Sequence, residues 1–111
     1  MILLDPSKIR LVGGSGHNEG RLEVRPADSF IWGTVCQDHF DTRDADVVCQ
    51  MLGYPSAQHV RKDAYFGQGK GPVYMADIRC DGNESSLFNC SYPGWGIHDC
   101  DHHQDAGVVC N

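Results

Sequence analysis

Lysine and arginine are scarce in this sequence and absent beyond Arg79. Nine of them stand against 15 aspartates and glutamates, a formal net charge of −6. A general nucleic-acid binder needs a basic face for phosphates, so that class is excluded. Long apolar runs are missing too. None approaches the roughly 18 residues of a bilayer-crossing helix, and no segment reads as a membrane span. The cysteines contain no CxxC pair. Zinc sites usually bring ligands in close pairs and thioredoxin chemistry requires CxxC, so both are disfavoured. Gly14-Ser15-Gly16 lacks the GxSxG nucleophile elbow. With all six cysteines paired no thiol nucleophile is left, and the chain reads as a binding module without catalysis.

What is present fits a single loop-rich domain: 111 residues, 13 glycines, five prolines and 41% hydrophobic residues. Cys36, Cys49, Cys80, Cys90, Cys100 and Cys110 are even in number and imply three disulfides in an extracellular compartment. Spacing alone leaves fifteen connectivities open. Asn83-Glu84-Ser85 is a glycosylation sequon consistent with that compartment. Met1-Ile2-Leu3-Leu4 runs straight into Asp5-Pro6 and is no signal peptide, so the sequence is expected to be a piece of a longer secreted or membrane-anchored protein. Residues 1–8 read as linker or tag, and 9–111 as the single domain.

Ile9–Val12 reads as a short strand before Gly13-Gly14. Arg21–Arg25 alternates more cleanly, with Leu22 and Val24 inward and the charges outward. Phe30–Cys36 is β-rich, with Gly33 a bulge or a point of close approach. The helix pattern is the clearest: Ala45, Val48, Cys49 and Leu52 fall at i, i+3, i+4 and i+7. Asp41 or Thr42 caps its start, and Gly53 followed by Pro55 stops it. Gly67-Gln68-Gly69-Lys70-Gly71-Pro72 is a glycine loop that leads into the strand-like Val73–Arg79, so it is no phosphate loop. Ser85–Cys90 suits one helical turn, and Gly107–Cys110 a last strand.

Charge divides the chain. Residues 1–79 carry nine positive and ten negative charges, whereas Asp81, Glu84, Asp99, Asp101 and Asp105 stand unopposed in residues 80–111. One reading is a solvated acidic surface; the other is an anionic pocket that takes a cation. His39, His98, His102 and His103 lie among these acids and read as exposed histidines or an adventitious transition-metal site. Arg61, Lys62, Lys70 and Arg79, with Arg21, Arg25 and Arg43, are candidates for a patch that binds sulfated or phosphorylated polyanions.

Six segments, in order, point further: Ile9–Gly14, Glu19–Val24, Trp32–Cys36, Asp46–Tyr54, Phe66–Pro72 and Asp105–Cys110. Together they closely resemble the scavenger receptor cysteine-rich (SRCR) domain, and six cysteines suit its group A form. The resemblance implies an α+β fold in which a curved, mostly antiparallel sheet cradles one main helix. It implies the pairs Cys36–Cys100, Cys49–Cys110 and Cys80–Cys90. It implies an extracellular recognition module for polyanionic or microbial ligands, assisted by Ca²⁺ or Mg²⁺, with no organic cofactor. The alternative is a protein-docking accessory domain of the kind carried by secreted proteases or amine oxidases. One implied cation site falls on Gln37, Asp38 and Gln104, where two carboxylates have become amides. The other falls on Asp41, Ala76 and Asp99, with Asp77 beside the Ala76 that offers no ligand.

Overall fold

The computed structural model describes residues 7–111. The expectation for residues 1–6 lies outside them, but strand β1 already begins at Lys8, one residue inside the expected linker. The elements are β1 (Lys8–Gly13), β2 (Glu19–Arg25), β3 (Gly33–Val35), α1 (Thr42–Met51), β4 (Ala57–Arg61), β5 (Val73–Met75) and β6 (Gly107–Cys110). Two 3₁₀ turns lie before β6, at Leu87–Asn89 and His102–Gln104. The fold is α+β, a mostly antiparallel sheet with only the β3–β5 pair parallel.

Strand β2 organises the sheet. Its pairing with β1 runs from Gly20 to Arg25, while its other neighbours are β6 at Glu19–Arg21 and β3 at Glu23–Val24. Two strands follow one another along β2, and the segment between them closes the gap: Leu22 N–H donates to Ala106 O at 2.9 Å. Ala106 N–H in turn reaches Val35 O at 2.8 Å. Leu22 and Val24 are fully buried, as their alternation requires. Glu23, expected outward, is only 5% exposed, because Arg10 and Arg21 both close over its carboxylate. Gly33 is a point of close approach: a Cβ there would sit 2.4 Å from Pro72 O and against the Tyr74 ring.

Helix α1 has both expected ends. Asp41 is the N-cap, its carboxylate accepting the N–H groups of Arg43 and Asp44, and Asp44 returns a bond to Asp41 N–H at 2.8 Å. Gly53 takes the left-handed conformation at φ +93°, and Tyr54 N–H bonds Cys49 O while Gly53 N–H bonds Gln50 O. That arrangement is a Schellman ending, which glycine adopts without steric cost. Ala45, Val48 and Cys49 are buried with Val47; Leu52 is only half-buried at the helix exit. The core joins this face to Leu22, Val24, Val35, Phe40, Met75, Ile78, Leu87 and Val108.

Strand β4 has no counterpart in the sequence pattern. Gln58 and His59 are exposed, and the strand exists because β6 supplies its hydrogen bonds. Conversely, Phe30–Cys36 and Val73–Arg79 are regular for only three residues each.

Disulfides join Cys36 to Cys100, Cys49 to Cys110 and Cys80 to Cys90. The first two span 64 and 61 positions, and each restricts the unfolded chain by about 4 kcal/mol. Asp44 adds a polar tie: buried at 1% exposure, it accepts Cys80 N–H at 2.7 Å and so holds the small disulfide loop on the helix N-terminus. Asp44→Ala strands two backbone donors, Asp41 N–H and Cys80 N–H, and should cost about 3 kcal/mol in urea unfolding of the oxidised protein. A loss below ~1 kcal/mol would show that the tie contributes little.

Candidate functional site

The N-terminal end of α1, the end of β4 and the Cys80 segment meet around an open cleft of about 370 Å³. His39, Phe40, Asp41, Arg43, Lys62, Arg79, Cys80 and Asp81 line it. Phe40 is buried beneath it, and His39 precedes it with a left-handed backbone at φ +62°. Burial pushes the Asp41 carboxyl up, but the Arg43 guanidinium at 3.0 Å and two helix N–H groups outweigh this and hold it below the usual carboxylate range. Lys62 and Arg79 are different. Among the described residues, no carboxylate or side-chain hydrogen bond engages either one. The cleft therefore offers two free cations, Arg43 paired on its rim, and the carboxylates Asp41 and Asp81.

The expected basic patch is thus divided. Lys62, Arg79 and Arg43 converge, but Arg61 stacks its guanidinium 4.9 Å over the Tyr65 ring and buries an unbonded Nε. Lys70 is exposed on the glycine loop, whose Phe66 and Gly67 carbonyls accept from Arg21. Arg25 lies against Phe30 and Trp32. His39 and Asp81, which complete the cleft, were not singled out for it in the sequence, where nothing local signals that they meet.

The implied cation ligands do not assemble as grouped. Gln37 is occupied by Asp63: its Oε1 accepts Asp63 N–H at 2.6 Å and its Nε2 donates to the Asp63 carboxylate at 3.1 Å. Gln104 Oε1 accepts Asp101 N–H, closing a capping box on the second 3₁₀ turn. In the other set Asp41 belongs to the cleft, whereas Asp99 lies with Asp38, Asp77, Ile97 and His98 in a separate hollow of about 310 Å³. Asp77 is already 3.5 Å from His39 Nε2, and Ala76 is buried. Among the described residues, the tight groups of potential metal ligands both contain disulfide sulfurs, which are poor ligands. As placed, Asp38, Asp77 and Asp99 share one hollow, while Gln37, Gln104 and Asp41 are each engaged elsewhere. Asn83 is exposed on the loop closed by Cys80–Cys90, and the neighbouring Glu84 carboxylate accepts Asp81 and Gly82 N–H.

The histidines do not gather. His98 Nδ1 accepts Cys100 N–H, and His103 pairs with Asp101 in solvent. His102 alone is built into the structure. Its Nδ1 lies 2.8 Å from the buried Asp105 carboxylate and its Nε2 lies 2.7 Å from Gly71 O. Thr34 Oγ1 is 3.4 Å away, and Asp105 also accepts Gly69 N–H at 2.8 Å. Both ring nitrogens face acceptors, so only the imidazolium satisfies both.

The described domain is small, disulfide-stapled and sheet-plus-helix, with its chemistry-bearing side chains on open surface. It belongs to the scavenger receptor cysteine-rich domain family, whose profile matches residues 12–111. The macrophage scavenger receptor types I and II of Mus musculus and of Bos taurus are each 48% identical over 102 residues, 92% of this chain. The chain spans 22% of those relatives' length. Among solved structures, the third SRCR domain of murine neurotrypsin matches with TM-score 0.84 and 45% identity, covering 94% of this chain and 95% of that one. The SRCR domain of mouse MARCO, solved in a dimeric form, matches with TM-score 0.76 and 41% identity, covering 92% and 93%.

Desolvation lowers the His102 pKa, but the Asp105 hydrogen bond, the Gly71 carbonyl and the Asp105 charge together overcome it and Arg21, raising the pKa above its ordinary value. A raised folded-state pKa stabilises fully below the unfolded value near 6.5, and the effect fades as pH climbs through the folded value. The difference in melting temperature between wild type and His102→Gln should be largest below about pH 6 and narrow on the alkaline side of neutrality. A gap that is constant or widens with pH would contradict this arrangement.

Proposed function

We propose that the chain is an extracellular, non-catalytic recognition module that captures anionic groups of polyanionic or microbial-surface ligands in the Lys62–Arg79 cleft. The convergence of two unpaired cations from segments 17 positions apart, in one open cleft, supports this reading. Such charges hold a sulfate, phosphate or carboxylate by charge-assisted hydrogen bonds, and Arg79 adds a planar two-pronged donor. Asp41 and Asp81 on the rim repel ligands whose anionic groups overrun the cleft, which gives selectivity by spacing. The homologous scavenger receptors and the six-cysteine framework support an extracellular setting, in which exposed Asn83 carries a glycan.

No divalent ion is needed, because the cleft carries its own positive charge. A second reading is a docking domain for one protein partner within a larger chain. It draws support from the likeness to the third SRCR domain of murine neurotrypsin, one numbered domain among others. The two differ in salt response: anion capture weakens steeply as salt screens it, whereas an apolar protein interface does not.

Lys62→Glu with Arg79→Glu should weaken binding to immobilised dextran sulfate by at least ~10-fold at low salt and flatten its salt dependence. Arg61→Gln, outside the cleft, should change it less than about threefold, and EDTA should leave the wild-type affinity unchanged. Undiminished binding by the double variant would remove the cleft from ligand capture. Loss of binding in EDTA would establish a cation requirement.

A further inference from the structure

A second surface, sharing no residue with the cleft, combines exposed apolar side chains with an excess of positive charge. Phe30 is 93% exposed and Ile31 60%, adjacent at the tip of the loop between β2 and β3. They are held out rather than left loose. Ser29 N–H bonds Pro26 O, Ile31 N–H bonds Ser29 Oγ, Tyr74 Oη donates to Ile31 O, and the Arg25 guanidinium donates to Ser29 O. Behind the tip lies Trp32, with the Arg10 guanidinium 4.2 Å from its ring centre and that of Arg25 at 5.5 Å.

The β1–β2 register extends the positive charge. Lys8 pairs with Arg25, Arg10 with Glu23 and Val12 with Arg21, which puts Lys8, Arg10, Arg21, Glu23 and Arg25 on one sheet face. Leu22 and Val24 take the opposite face into the core. Four bases thus share a face with two carboxylates, of which Glu23 is already buried between Arg10 and Arg21 and Glu19, at the far end of β2, accepts from Ser15. Among the described residues Lys8 and Arg25 have no carboxylate partner. Asp28, exposed on the same loop, is the one acid near the tip. In a chain of net charge −6 this is a local reversal of sign.

We propose that this end of the domain docks on anionic lipid surfaces, with Phe30 and Ile31 entering the headgroup–acyl boundary and Lys8, Arg10 and Arg25 facing the lipid charge. Two observations favour lipid over a protein partner. The apolar area is two exposed side chains, far short of the ~800 Å² per side that a stable protein interface buries. An interface of lipid headgroups needs no matching pocket, only an apolar anchor and nearby bases, and a tryptophan beneath the anchor sits well at that depth. The positive face complements a negative bilayer and has nothing to gain from a neutral one.

The test is co-sedimentation of the oxidised domain with phosphatidylserine/phosphatidylcholine vesicles and with phosphatidylcholine alone, at low salt. Binding to the anionic vesicles only is expected. Phe30→Ser with Ile31→Ser should reduce it at least ~10-fold, and Lys8→Gln with Arg25→Gln by more than ~10-fold, at about fivefold per charge. Lys62→Glu with Arg79→Glu should leave it within about threefold, which separates this surface from the cleft. Phe30 and Ile31 are exposed, so melting temperature should be unchanged, and Trp fluorescence with anionic vesicles should shift to the blue in wild type alone. Equal binding to both vesicles, no binding to either, or full binding by the Phe30/Ile31 variant would overturn the proposal. So would lipid-independent self-association that the same variant abolishes, which would assign the tip to a protein contact.

Discussion

A carboxylate taken out of water must be given protons to accept, and this fold depends on doing that at Asp105. The residue is 1% exposed and lies where β2 changes partner from β6 to β3. Its side chain accepts from Gly69 N–H and from His102, and its backbone bridges to Cys36. His102 then reaches Gly71, so one buried charge gathers the glycine loop, the second 3₁₀ turn and the entrance to β6. Removing the charge would leave a half-buried imidazolium and a buried amide N–H without their acceptor. Backbone bonds joining Ala106 to Leu22 and to Val35 carry the sheet across this change of partner, and the Asp105 side chain ties the glycine loop and the second 3₁₀ turn to it.

Two other buried carboxylates repeat the device. Asp44 joins the helix N-terminus to Cys80, and Glu23 joins β1 to β2 through the guanidiniums of Arg10 and Arg21. Asp44 spans elements distant in sequence and Glu23 two consecutive strands, and each is fully partnered. A core of modest size cannot fix such junctions by apolar contact alone, because a ~100-residue domain leaves much of its surface wet. Disulfides limit the unfolded chain, whereas the carboxylates specify how the folded elements dock. The two kinds of tie meet at Cys80, whose sulfur is paired with Cys90 and whose N–H is bound by Asp44.

Legibility in the sequence followed the range of the interaction. The helix ends and the inward Leu22 and Val24 are set by residues within a few positions, and their patterns announce them; Gly33 is visible as a glycine in a strand, but the Pro72 and Tyr74 that crowd it are some forty positions on. Strand β4 could not be seen, because its partner β6 lies some fifty positions on. Glu23 seemed outward by alternation, yet arginines from β1 and from its own strand cover it. The cation ligands regroup for a related reason: sequence spacing says nothing about what else competes for an oxygen. Asp63 takes Gln37, Asp101 takes Gln104, and Arg43 takes Asp41. The basic residues were visible individually, but their assortment into cleft and sheet face is purely tertiary.

That assortment explains how an acidic domain can bind anions. Screening confines exposed charges to a range of about 8–10 Å at physiological salt, so a ligand feels the charges around it and little of the total. Five unopposed acids follow Arg79 in the chain, but Lys62 and Arg79 face the cleft together, and Lys8, Arg10 and Arg25 share one sheet face. The excess acids have a role as well. Asp105 spends its charge on internal structure, Asp101 caps a turn, and Asp99 lies in the hollow with Asp38 and Asp77. The cleft's own acids, Asp41 and Asp81, are outnumbered by Arg43, Lys62 and Arg79, so an anion that reaches it meets a net positive charge. On this argument the net charge of −6 and the capture of anions are compatible because a ligand responds to the local excess of base and not to the total.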